Sequence, residues 1–111
     1  MAKTINFTYN GRRYTLEYSR RTVRQMENNG FRIDDLNTKP LTFLSDLFAG
    51  AFKKNHRAVK ADEIDRMQEL FADKEKLTET LMSMYSETLE TLTTNNEDED
   101  KENLITWSVG E

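Results

Sequence analysis

The chain has no cysteine, a single histidine and a single proline, and no apolar run near the about 20 residues a membrane-spanning helix needs. Each absence removes a class of protein. Without cysteine there is no disulfide framework and no thiolate metal site, which fits a reducing compartment. Met1-Ala2-Lys3 leads straight into a polar strand rather than the apolar core of a secretory signal. The expectation is a soluble protein of the cytoplasm with no membrane partner. His56 stands beside Lys53, Lys54, Arg57 and Lys60 with no acidic pair near it, so a structural role is expected rather than a ligand or base. Asp34-Asp35 are adjacent on a loop, whereas acid/base pairs need a shared, partly buried site. Glu97-Asp98-Glu99-Asp100 lacks the glycine and ligand spacing of a calcium loop. There is no Walker loop, GxGxxG or GxSxG. The reading is therefore no enzyme, no cofactor and no metal.

What is present is a small, highly charged chain. Its 111 residues make one domain, and 36% hydrophobic against 32% charged residues allow a modest core. A chain of this size buries only about 60–65% of its unfolded surface, so self-association is an expected support. The net charge of −4 hides an asymmetry: residues 1–60 carry a balance of +7 and residues 61–111 one of −11. Either the two halves attract within one fold or present solvated faces, or copies associate head to tail, basic face to acidic face.

The most apolar stretch is Pro40 to Asn55, PLTFLSDLFAGAFKKN. Leu41, Leu44, Leu47, Phe48, Ala51 and Phe52 recur at helical spacing, with Phe43 to one side of the stripe. Pro40 suits a first turn, and Thr38 or Asn37 is placed to cap it. Gly50 inside this helix marks a close helix approach or a bend. The rest of the chain is expected to pack against it.

The fold predicted from the whole chain is α+β and mostly helical. A β-hairpin covers about 4–18: Asn10-Gly11 forms a type I′ turn that pairs Tyr9 with Arg12, placing Phe7 opposite Tyr14 and Ile5 opposite Leu16 on one apolar face. Helices follow at about 20–29, 40–55, 62–72 and 74–93, with Ser19, Asp62 and Asp73 as caps. Gly30 is placed for a left-handed closure of the first helix, with Phe31 returning to Met26. Ile64, Met67, Leu70 and Phe71 share a face of the third helix; Leu77, Leu81, Met84, Tyr85, Leu89 and Leu92 share one of the fourth. Residues 1–94 form the compact domain. Residues 95–111 are an acidic flexible spacer and a short strand at 104–109, which either returns to the hairpin or adds to a partner's sheet edge.

Arg20, Arg21 and Arg24 crowd the start of the first helix, where the dipole disfavours cations. They are candidates for an acidic partner, or lie solvated or paired with Glu17 and Glu27. With Arg12 and Arg13 near Tyr9 and Tyr14 they also carry the alternative reading, a small nucleic-acid-binding or regulatory protein. A pI of about 5.1 and an acidic C-terminal half speak against nucleic acid.

FTYNGRRYTLEYSRRTVRQMENNGF (7–31), LTFLSDLFAGAFKKNHR (41–57) and LMSMYSETLETL (81–92) follow one another as hairpin, Arg/Gln/Met helix, Phe-rich helix and closing Met/Tyr helix. In this order and flavour the chain resembles the tail assembly chaperones of long-tailed phages and prophages of Gram-positive bacteria. The resemblance covers about residues 4–93. It implies a non-enzymatic, self-associating protein of the bacterial host cytoplasm. Its partners would be the helical tape-measure protein, which it keeps soluble, and the tail-tube protein that replaces it. Such a chaperone needs an apolar groove, and Phe43, Phe48, Phe52, Met82 and Met84 are the candidates to line it, with Trp107 as a further partner contact. Methionines on these helices equally serve as core filler.

Overall fold

The computed structural model describes residues 3–90 and 108–110. Asn10 and Gly11 take φ of 52° and 77°, the two positive values that a type I′ turn requires. That turn sets the antiparallel register of β1 (Ile5–Tyr9) on β2 (Arg12–Leu16): Tyr9 pairs with Arg12, Phe7 with Tyr14 and Ile5 with Leu16. Phe7 and Tyr14 stack with ring centroids 5.2 Å apart. The predicted register is the observed one.

Ser19 caps α1 (Arg20–Asn28) in a reciprocal box, its hydroxyl accepting from Thr22 N–H while the Thr22 hydroxyl accepts from Ser19 N–H. At the other end Gly30 has φ of 98°, Phe31 N–H donates to Met26 C=O and Gly30 N–H to Glu27 C=O. This is the double closure of a Schellman motif, and it turns Phe31 into the core. A 3₁₀ turn at Ile33–Leu36 leads to α2 (Pro40–Gly50), which starts from Lys39 with no side-chain cap. The caps expected from Thr38 or Asn37 are not made.

Two features of α2 differ from the sequence reading. Leu41 is 80% exposed, while Phe43 is 1% exposed. The buried arc runs through Phe43, Leu47, Gly50 and Ala51, at i, i+4, i+7 and i+8, and Leu41 in the first turn lies outside it. The helix also stops at Gly50 rather than 55. Phe52 and Lys53 N–H bond back three residues, to Ala49 and Gly50, and the Ala51 carbonyl accepts from Glu17 N–H at 3.0 Å. Continuing the helix would direct that carbonyl to residue 55; here the hairpin takes it.

α3 (Ala61–Leu70) begins one residue before the expected cap, and Asp62 instead accepts from Glu63 N–H. Its buried residues are Ile64 and Met67, and Leu70 is 65% exposed because the inward stripe continues to Phe71, where the chain leaves the helix. Phe71 packs edge-on to Phe7 and Phe48, at 4.8 and 5.3 Å. Asp73, with φ of 49°, caps α4 (Lys74–Glu90) by accepting from Lys76 N–H. Leu77, Leu81, Met84 and Tyr85 are buried and Leu89 is half-buried, as their spacing predicts; Leu92 lies outside the described residues. One core joins the hairpin to all four helices. The architecture is α+β and mostly helical. The acidic spacer and residues 104–107 of the predicted C-terminal strand lie outside the described residues, and the described Ser108 to Gly110 are exposed and in no strand.

Candidate functional site: a groove between α1 and α2

Gly50 decides how closely α1 and α2 approach. A Cβ built there would stand 2.5 Å from Met26 Sδ and 2.7 Å from its Cε, so the missing side chain lets the thioether lie directly against α2. Beside this contact opens a groove of about 530 Å³. Buried Met26, Phe31 and Gly50 and half-buried Ala49, with buried Thr22 at one side, form a mostly apolar floor. Exposed Gln25, Asn28, Asn29, Asp46 and Lys53 stand around it, with one carboxylate, one ammonium and three amides. An apolar floor with a mixed polar rim suits an amphipathic segment, and a methionine in the floor adapts its shape to what it meets. Among the described residues no group of three or more His, Asp or Glu is placed to hold a metal ion.

A second cluster covers the outer edge of β2 from Thr15 onward. Thr15 N–H donates to His56 Nε2 at 3.0 Å, Asn55 Nδ2 donates to Thr15 C=O at 3.2 Å, and Glu17 N–H donates to Ala51 C=O. Nε2 accepts here, so the proton of a neutral His56 ring sits on Nδ1. Its ring lies 5.0 Å from that of Tyr14. The Glu17 carboxylate receives Asn55 Nδ2 and Lys54 Nζ, each at 2.9 Å. Partial burial pushes its carboxyl up, but hydrogen bonds from Asn55 and Lys54, with the Lys54 charge, outweigh burial and hold it below the usual carboxylate range.

Residues 1–110 match the family described as Domain of unknown function (DUF5055). The chain belongs to the DUF5055 family. No curated protein and no solved structure matches it.

In this DUF5055 fold the residues expected to line a groove are placed differently. Phe43, Phe48, Phe52 and Met84 are buried among the hairpin and helices and line no open surface; Met82 alone of that set is half-buried. α2 turns Phe43 and Phe48 inward onto Phe31 and Phe71, and Phe52, in the turn just past the helix, meets Phe7. Trp107 lies outside the described residues. Arg20, Arg21 and Arg24 are exposed on α1 and take no part in the groove. Arg12 sits 5.6 Å over the Tyr14 ring, which is itself buried, so Tyr14 offers no free face for stacking a base. The place of Gln25, Asn28, Asn29, Asp46 and Lys53 around the groove is not among the sequence expectations. The signal available for them was Gly50 inside the Phe/Leu-rich helix, which marks where a neighbouring helix comes close.

Proposed function

We propose that this chain is a non-enzymatic tail assembly chaperone of the bacterial host cytoplasm, whose α1–α2 groove holds amphipathic helical segments of a tape-measure protein until tail-tube subunits replace it. The observation that carries the reading is where the groove lies. Every residue lining it falls in residues 7–31 or 41–57, two of the three stretches that carry the resemblance to that chaperone family. Its apolar floor and polar rim suit one face of an amphipathic helix, which would otherwise aggregate through that face. The binding surface is thus the groove around Met26 and Gly50, not the buried phenylalanines.

The test is co-expression with a fragment of the tape-measure protein that is insoluble alone. The expected outcome is a soluble complex, lost when Ala49→Arg fills the groove and kept when the exposed Arg24→Ala is made. Equal precipitation of the fragment with and without the wild-type chain overturns the reading; so does a complex that Ala49→Arg leaves intact, with helix content checked by circular dichroism.

A further inference from the structure

The two edges of the hairpin are treated in opposite ways. In an antiparallel pair, alternate residues direct their N–H and C=O to the partner strand and to the outside. On β2 the outward groups are those of Arg13 and Thr15, continued by Glu17 just past the strand, and the segment from Ala51 to His56 takes up those of Thr15 and the N–H of Glu17. The same alternation puts the outward groups of β1 at Thr4, Asn6 and Thr8. Among the described residues no strand pairs with that edge. Nor does β1 carry the usual protection: Ile5–Tyr9 contains no charge and no proline, and its register is free of a bulge. Burial follows the same asymmetry. On the inner face Tyr14 and Leu16 of β2 are 3% and 0% exposed, whereas Ile5, Phe7 and Tyr9 of β1 are only half-buried.

The bare edge is also symmetric in its chemistry. Read outward from Asn6 in either direction, the strand is apolar, then threonine: Ile5 and Thr4 on one side, Phe7 and Thr8 on the other. We propose that β1 is a self-association edge, pairing antiparallel with β1 of a second copy about a two-fold axis at Asn6 to make one four-stranded sheet. Asn6 then faces its equivalent, Thr4 faces Thr8 of the second copy, and Ile5 faces Phe7. Because the outward residues are all even-numbered, this register pairs even with even. Apolar inner faces join into one surface and polar faces into another, with no charge opposed. Asn6 is already held on the polar face, its Oδ1 accepting from Thr15 Oγ1 and its Nδ2 donating to Thr4 Oγ1, so its side chain does not block the edge. About six ladder bonds form across the axis. The contact is short, so the dimer is expected to be reversible and concentration-dependent. It is isologous, unlike a basic-to-acidic stack, and holds whatever the groove binds.

Light scattering on the full chain should give a mass rising with concentration from 13.1 kDa toward twice that value. Register is tested in a chain with no native cysteine. Asn6→Cys brings two thiols onto the axis, on Cα atoms about 5.5 Å apart and within disulfide reach. Thr8→Cys leaves its two thiols about 13 Å apart. Mild oxidation should cross-link the first at least tenfold faster than the second, and the Asn6 and Thr8 amides should gain exchange protection as concentration rises. A mass fixed at 13.1 kDa up to the solubility limit overturns the proposal. So do equal cross-linking of the two variants and edge amides protected independently of concentration, the signature of an edge filled by residues 104–109 of the same copy.

Discussion

At the scale of single residues, Tyr18 shows how a helix end is satisfied from a distance. The N–H of Ala51 bonds back to Phe48 and Ala49, which releases the Leu47 carbonyl that a longer helix would have used. The buried Tyr18 hydroxyl takes that carbonyl at 2.6 Å. Tyr18→Phe keeps the ring and its edge-on contact with Tyr85 but leaves the carbonyl without a partner, so denaturant titration should show a loss of about 1–3 kcal/mol. Burial pushes the Tyr18 phenol well above its ordinary range, with Tyr85 adding to it; burial, then Glu27, raises that of Tyr85. Folding therefore favours the neutral phenols. The stability this represents is complete below the ordinary tyrosine range and is lost as pH rises through it toward the folded values. Tyrosinate absorbance and helix content followed together should show an alkaline transition in which these two phenols ionise only as the chain unfolds.

At the scale of elements, the best-read part of the sequence is the part with the strongest local chemistry. Asn10-Gly11 dictates a turn, the turn dictates a register, and apolar alternation agrees with it. Ser19 and Gly30 bound α1 for similarly local reasons, the first by its hydroxyl and the second by its freedom to adopt positive φ. The end of α2 was not legible, because it is decided by Glu17, far back in the chain, whose N–H claims the Ala51 carbonyl. The burial of Phe43, Phe48 and Phe52 is not legible for a related reason. Periodicity shows that the phenylalanines share a face with leucines, but not whether that face meets a hairpin or a groove. The seal over β2 makes its own prediction. Glu17 has its carboxyl lowered in the folded chain, so its contribution is present above the ordinary carboxylate range and lost as pH falls through it to the folded value. Glu17→Gln should flatten the acid limb of the stability profile, measured by chemical denaturation across that range, and leave the alkaline limb unchanged.

At the scale of the molecule, every helix and the hairpin contribute to one cluster of buried side chains, with Leu47 fully buried within it. Lys3, just ahead of β1, reaches Ser83 and Glu87 on α4, at 3.1 and 3.7 Å, and so joins the basic and acidic halves of the sequence. That exposed ion pair is a minor contributor beside the core. Leu47→Ala should cost about 2–5 kcal/mol, a large part of what a small domain possesses. Because the core is shared, amides of β2 and α4 should lose protection at one denaturant concentration rather than in two steps.

The seal over β2 also has a temporal side. Thr15 and His56 are 41 residues apart in sequence. At about 5–20 residues per second of synthesis, a new hairpin waits about 2–8 s for the residues that will cover its second edge. During that interval a nascent chain presents two open strand edges, and closely spaced ribosomes on one message carry copies whose intervals overlap. The proposed β1 contact can then form between growing chains only if it outcompetes mispairing through β2, which makes translation speed between Leu16 and His56 a determinant of the yield of correctly assembled protein.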